Sequence, residues 1–195
     1  MKAAPLTRGR GVGRGVIAAV LPWALAATVS AATPAPALPV ADEIRGLPFF
    51  PQETNGCGPA VLASVLSFWG VPVELGSLTA EVYSAALKGT LPLDLERAAR
   101  RRGFTAAVRA GTLDTVRAEI AQGRPVIAFL NLGTRLFPRG HFIVIAGYDD
   151  QRRELRVHSG LHPYSRMTYE AFLASWVMTE NWQMIAWPEQ DPVQP

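Results

Sequence analysis

The sequence contains one cysteine and three histidines in 195 residues, and that scarcity removes several classes of protein at once. A single thiol forms no internal disulfide, so the chain is not a disulfide scaffold. No short paired spacing joins the histidines to the cysteine in the manner of zinc ligands, and no glycine-rich phosphate loop follows a strand-like segment. Neither a metal nor another cofactor is expected. Acidic residues are missing from the first thirty positions, where Lys2, Arg8, Arg10 and Arg14 stand ahead of an apolar run at residues 16–29. That run is too short and wrongly flanked for a stable membrane span, and the small residues Val29-Ser30-Ala31 suit a cleavage site. Residues 1–31 therefore read as a secretory signal peptide of an exported, periplasmic or secreted protein, with an uncleaved anchor as the competing reading.

The same segment accounts for the basic balance of the chain. It holds four of the 19 Lys and Arg residues and none of the 16 Asp and Glu residues, so the remainder carries a formal charge of −1. No nucleic-acid partner or polybasic membrane face is expected from it. The tract Arg100-Arg101-Arg102 reads as a solvated helix end. Oligomeric state is not legible.

What remains is enough for one core. Residues 32–45 are a Pro/Ala-rich spacer, residues 46–188 the folded domain and residues 189–195 a polar, Pro-rich, frayed tail. Within the domain, Pro48 and Pro51 keep the lead-in extended. Val61, Leu62, Val65, Leu66 and Trp69 share one face of a helix over residues 57–69, with Pro59 in its first turn and Gly70 at its stop. Further helices are expected over residues 74–88 and 93–102, ended by Gly89 and Gly103, and over residues 112–121, capped by Thr112. A strand at residues 104–109 precedes the last of these. Residues 125–132, 140–148, 154–158 and 181–187 are rich in β-branched and aromatic residues and read as strands, with Asp149-Asp150-Gln151 as a hairpin turn and a short helix at residues 169–176. Helices first and an antiparallel sheet after them define an α+β fold.

Cys57 sits where the extended lead-in gives way to the first helix. The amides of a helix's first turn have no partners within the helix, and the peptide dipoles sum to a partial positive charge there, which favours a thiolate. Gln52, five positions upstream, brings an uncharged N–H donor of the kind an oxyanion hole uses. His141 follows Gly140 and opens an apolar strand, where its imidazole could take the thiol proton and return it to a leaving amine. Taken singly, a free Cys reads equally as a small buried hydrophobe and a strand-end His as a polar edge residue.

Jointly they carry more. Gln52, then Cys57-Gly58-Pro59 opening a helix, then Gly140-His141-Phe142 opening a strand that ends in Gly147-Tyr148-Asp149, resembles the papain-like cysteine peptidases of the double-glycine leader (bacteriocin-processing) superfamily. The stretch from Pro48 to Pro188 is similar to short exported bacterial members, through Pro48-Phe49-Phe50-Pro51-Gln52, Asn131-Leu132-Gly133, His158-Ser159-Gly160 and the strand containing Trp182. The resemblance implies a papain-like fold, with N-terminal helices packed on a C-terminal antiparallel sheet, and a peptide or protein substrate. It makes Cys57 the nucleophile, His141 the general base and acid, and Gln52 the oxyanion donor. One position departs from the pattern. Where the family commonly has an Asp followed by Pro, this chain has Ser159, whose hydroxyl accepts an imidazole N–H but carries no charge to stabilise the imidazolium.

His158 is the alternative orienting residue, because a one-residue change of register exchanges the faces of a strand. Asp149 and Asp150 read as turn residues and His162 as a solvated loop residue. Three functional readings stay open: an exported thiol hydrolase that cleaves a peptide amide, a catalytically impaired peptide-binding module on the same fold, and a cell-wall peptide amidase.

Overall fold

The computed structural model describes residues 38–52 and 56–189. The signal-peptide reading, residues 32–37 of the spacer and the tail from residue 190 lie outside the described residues. The elements in chain order are β1 (Ala41–Glu43), α1 (Cys57–Phe68), α2 (Leu75–Val82), β2 (Tyr83–Ser84), β3 (Gly89–Thr90), α3 (Pro92–Arg100), β4 (Phe104–Ala110), α4 (Leu113–Ala121), β5 (Val126–Asn131), β6 (Gly140–Asp149), β7 (Glu154–Ser159), β8 (His162–Thr168), α5 (Tyr169–Trp176), a single 3₁₀ turn (Val177–Thr179) and β9 (Trp182–Pro188).

One antiparallel seven-stranded sheet runs β4-β9-β5-β6-β7-β8. On the β5 side of the central strand, β5 pairs with residues from Gly140 to Ile145, and β1 continues that side by pairing with Gly147 to Asp149. Because side chains alternate along a strand, β6 serves two cores. Phe142, Val144 and Ala146 pack with α1, α2 and α3, whereas Ile143 and Ile145 pack with Val116 and Ile120 of α4 and with Phe172 and Trp176 of α5. Burial of each such aliphatic or aromatic side chain stabilises the fold by roughly 1.5–3 kcal/mol. The N-terminal helices cover one face of the sheet, and the two later helices cover the other.

The central helix owes its position to its sequence. Every residue of α1 from Gly58 to Leu66 is buried, so the apolar stripe read from Val61, Leu62, Val65 and Leu66 is part of a helix buried all round. Gly70, at φ +80°, then allows the left-handed exit that a side chain would resist. Trp69 Nε1 donates to the Ala186 carbonyl of β9 at 3.0 Å and ties the end of the helix to the sheet.

Three expectations need correction. The helix expected over residues 74–88 stops at Val82, because Tyr83 is extended and Tyr83–Ser84 pairs with Gly89–Thr90 across a tight turn in which Lys88 has φ +50°. Tertiary packing overrides helix propensity there: the hairpin lies on the start of α1, and a Cβ at Gly58 would stand 2.5 Å from Thr90 Cβ. The sheet also takes in Ala41–Glu43 of the spacer, held by β-pairing and by Ile44 N donating to the Ala146 carbonyl at 2.7 Å. Finally, His162 begins the edge strand β8 instead of lying in a loop. Pro163 suppresses the strand signal in the sequence, yet proline is tolerated on an edge.

Candidate active site

Cys57 is the first residue of α1, half-buried, and its thiol is free. The N-cap is Gly56, so no side chain caps the first turn, and no acidic residue sits in it. Nothing in the first turn itself therefore offsets the positive end of the helix at the sulfur. Cys57 lines a cavity of about 260 Å³ together with Leu87, Gly89, Thr90, Phe129, Gly140 and Phe142. Gly140 and Phe142 are the residues on either side of His141, so the start of α1 and the start of β6 meet at this cavity. No hydrogen bond joins the sulfur to the His141 ring among the described residues. In sites awaiting substrate such bonds are commonly long and tighten on binding.

His141 is largely buried, and its Nε2 lies 2.9 Å from Ser159 Oγ. Burial lowers the pKa of the imidazole, and the nearby Arg139 charge lowers it further, so the ring is neutral at neutral pH. A hydroxyl either donates or accepts, so Ser159 holds the ring in place whichever nitrogen is protonated. With Nε2 bound to the serine, Nδ1 is the nitrogen left for the cavity.

Gln52 is 9% exposed and belongs to the extended lead-in. Its backbone N donates to the Gly160 carbonyl at 2.8 Å, and its side-chain Oε1 accepts from Gly160 N at 2.9 Å. With the carbonyl end of the amide engaged, the NH₂ end is the part of the side chain that can donate. Gly160 was not singled out in the sequence as a functional residue. The available signal was only that it follows His158-Ser159, and its φ of +63° marks a turn that only the folded chain reveals.

His158 does not orient His141. It pairs across the sheet with Val144, one face away from Ser159, and is 1% exposed. Its ring meets Phe49 edge-on at 5.3 Å and Tyr164 at 4.6 Å, and neither ring nitrogen has a well-formed hydrogen bond among the described residues. Burial pushes its pKa down to about 4. Tyr164 in turn accepts from Leu47 N and donates to the Ile44 carbonyl, which links this aromatic stack to the lead-in that ends at Gln52.

The remaining candidates are structural. Asp149 accepts from Arg152 N and from the Arg152 guanidinium, closing the β6–β7 turn. Asp150 accepts from Arg117 and from the Tyr169 hydroxyl. His162 is exposed at the start of β8. Asn131 Oδ1 accepts from Gly133 N at 2.9 Å and from Arg139 N at 2.8 Å, so the Asn-Leu-Gly signature pins the loop ahead of His141. No group of three or more His, Cys, Asp or Glu side chains stands ready for a metal ion among the described residues.

A cysteine heading a buried helix, a histidine opening the central strand of the antiparallel sheet and a glutamine anchored to the turn after Ser159 make this a papain-like cysteine peptidase fold. The family model for the Peptidase_C39-like family matches residues 44–184, and the chain belongs to that family. Solved structures agree. A C39-like peptidase from Bacillus anthracis superposes with a TM-score of 0.62 at 17% identity, over 75% of this chain and 97% of that one. The peptidase domain of Streptococcus ComA, a bifunctional ABC transporter of a quorum-sensing pathway, gives 0.60 at 26% identity, over 73% and 98%. A double-glycine motif protease from an AMS/PCAT transporter, solved with a leader peptide, gives 0.58 at 21% identity, over 76% and 98%. No curated protein matches the chain. Family and neighbours together place it among cysteine peptidase-type hydrolases.

Proposed function

We propose that the protein is an exported cysteine peptidase that hydrolyses a peptide amide through an acyl-enzyme. The single observation that supports this most is the His141–Ser159 contact at 2.9 Å, which fixes the imidazole beside the cavity that Cys57 opens into. In this reading His141 takes the Cys57 proton, and the thiolate attacks the scissile carbonyl. The oxyanion receives a hydrogen bond from Gln52 Nε2. The proton then passes from His141 to the leaving amine, and water, deprotonated by the same ring, releases the acyl group. Ser159 keeps the ring oriented without supplying charge, so the imidazolium is less stabilised than beside a carboxylate. Export is supported by the charge and apolar pattern of residues 1–31.

The binding-module reading rests on Ser159 alone. Against it stand Cys57, His141 and Gln52, all retained: Cys57 lines the cavity with both sequence neighbours of His141, and Gln52 is bound to Gly160, next to the serine that holds the ring. The test is labelling by a thiol-directed electrophile at neutral pH, followed by hydrolysis of a peptide panel. Labelling should fall sharply in His141→Ala and vanish in Cys57→Ala. Equal labelling of wild type and His141→Ala would remove His141 from thiol activation, and labelling without turnover of any peptide would favour the binding module.

A further inference from the structure

The loop joining β5 to β6 ends in an apolar tip. Leu136 is 85% exposed and Phe137 80% exposed, on adjacent positions. Arg135 and Arg139, which bracket them, are also exposed, and among the described residues neither side chain pairs with a carboxylate.

The tip is a built turn. Thr134 N donates to the Phe137 carbonyl at 3.1 Å and Phe137 N donates to Thr134 Oγ1 at 3.0 Å. At the base, Leu132 N donates to the Arg139 carbonyl at 2.8 Å, and Asn131 Nδ2 donates to the Thr134 carbonyl at 3.2 Å. Two large apolar side chains are thereby held out in water by hydrogen bonds to their own backbone. Nothing in the described structure gains from their exposure.

We infer that this loop docks the protein on an anionic lipid surface. A convex tip has no walls with which to grip a peptide, whereas a planar interface accepts it: the Leu and Phe side chains enter the acyl boundary, and flanking arginines meet lipid phosphates. One acidic residue, Glu180, lines a cavity with Pro138 and Gly140 at the base of the loop, and it forms no ion pair with either arginine among the described residues. Since His141 follows this loop directly and Gly140 lines the Cys57 cavity, docking would bring the start of β6 close to the membrane. The inference goes beyond the peptidase reading and does not depend on turnover.

The test uses the full chain and co-sedimentation with two vesicles: phosphatidylcholine alone, and phosphatidylcholine with about a third phosphatidylglycerol. Any contribution from residues 16–29 is common to all variants, so the comparison is between them. Leu136→Ser with Phe137→Ser is expected to weaken binding to the anionic vesicles by roughly tenfold or more. Arg135→Gln and Arg139→Gln should each weaken it by about fivefold, with little effect on neutral vesicles. In Phe137→Trp, brominated lipids should quench more fluorescence than in wild type, which reports insertion at the tip itself. Unchanged binding of the double serine variant, or no added quenching in Phe137→Trp, would overturn the inference. So would a double serine variant that binds vesicles normally and loses only peptide hydrolysis in lipid-free buffer, which would make the tip a peptide contact. Far-UV circular dichroism should be the same throughout, because the tip side chains bury little.

Discussion

Gln52 and Gly160 bind each other in both directions, backbone to backbone at 2.8 Å and Gly160 N to Gln52 Oε1 at 2.9 Å. Two segments more than a hundred residues apart are joined there: the lead-in that ends at α1 and the turn that follows Ser159. The candidate oxyanion donor and the residue that holds His141 thus share one anchor. A shift of the turn would move both.

This coupling separates two functions of Gln52 by substitution. Gln52→Glu keeps an oxygen for Gly160 N to donate to but has no N–H to offer, and puts negative charge where the oxyanion forms. Peptide hydrolysis should fall about 10²–10³-fold, as for loss of an oxyanion donor, with Tm close to wild type. Gln52→Ala should lose hydrolysis to a similar degree and also about 1 kcal/mol of stability, because Gly160 N is left without its partner. Alkylation of Cys57 by iodoacetamide, which forms no oxyanion, should be within about twofold of wild type in both variants. A parallel loss of alkylation would show that Gln52 acts on the thiol.

Ser159 offers a test of the missing charge. An aspartate at this position would stabilise the imidazolium, so Ser159→Asp should raise the pKa of His141, which burial and Arg139 now hold down. The acid limb of the pH–rate profile should then move to higher pH, and hydrolysis at neutral pH should rise roughly tenfold if proton transfer limits it. Ser159→Ala should release the ring and lower hydrolysis by a similar factor. An unmoved acid limb in Ser159→Asp would mean that the limb does not report His141.

Gly58 can be tested by space alone. A Cβ there would stand 2.5 Å from Thr90 Cβ and Oγ1, so Gly58→Ala should push the β2–β3 hairpin off the start of α1 and destabilise the fold by about 1–3 kcal/mol. Thr90→Gly should recover part of that loss in a double-mutant cycle. Strict additivity of the two substitutions in urea unfolding would show that they do not meet.

The sequence made the long elements legible because their patterns were strong and locally consistent. The β-branched and aromatic run of β6, the apolar run of α1 and the Thr112 cap of α4 each specify their element without reference to the rest of the chain, and α4 carries the Thr112–Thr115 capping pair. Elements whose form depends on what lies beside them were not legible. Ala41–Glu43 becomes a strand only because β6 extends beyond β5, and Tyr83–Ser84 leaves the helix only because the hairpin rests on Gly58. At the site, motif and order single out Cys57, His141 and Gln52 as candidates. Register decides between His158 and Ser159, and a strand's register is fixed by its neighbours. The structure assigns Ser159 to the His141 ring and His158 to the Phe49–Tyr164 stack.

That stack makes the last prediction. His158 is held neutral by burial, with its pKa pushed down to about 4 from an ordinary 6.5. Between those two pH values the unfolded chain binds a proton at this position and the folded chain does not, so stability must fall as the pH is lowered through the window and level off below it. At 1.36 kcal/mol per unit of pKa difference, the loss from this residue is about 3 kcal/mol. Urea unfolding at intervals from pH 7.5 to about 4 should show that decline. His158→Phe, which keeps an aromatic ring between Phe49 and Tyr164, should flatten the curve by the same amount while leaving the smaller contribution of buried His141. An equally steep decline in His158→Phe would mean that the imidazole titrates alike in both states, and that the ring is not sealed between its aromatic neighbours.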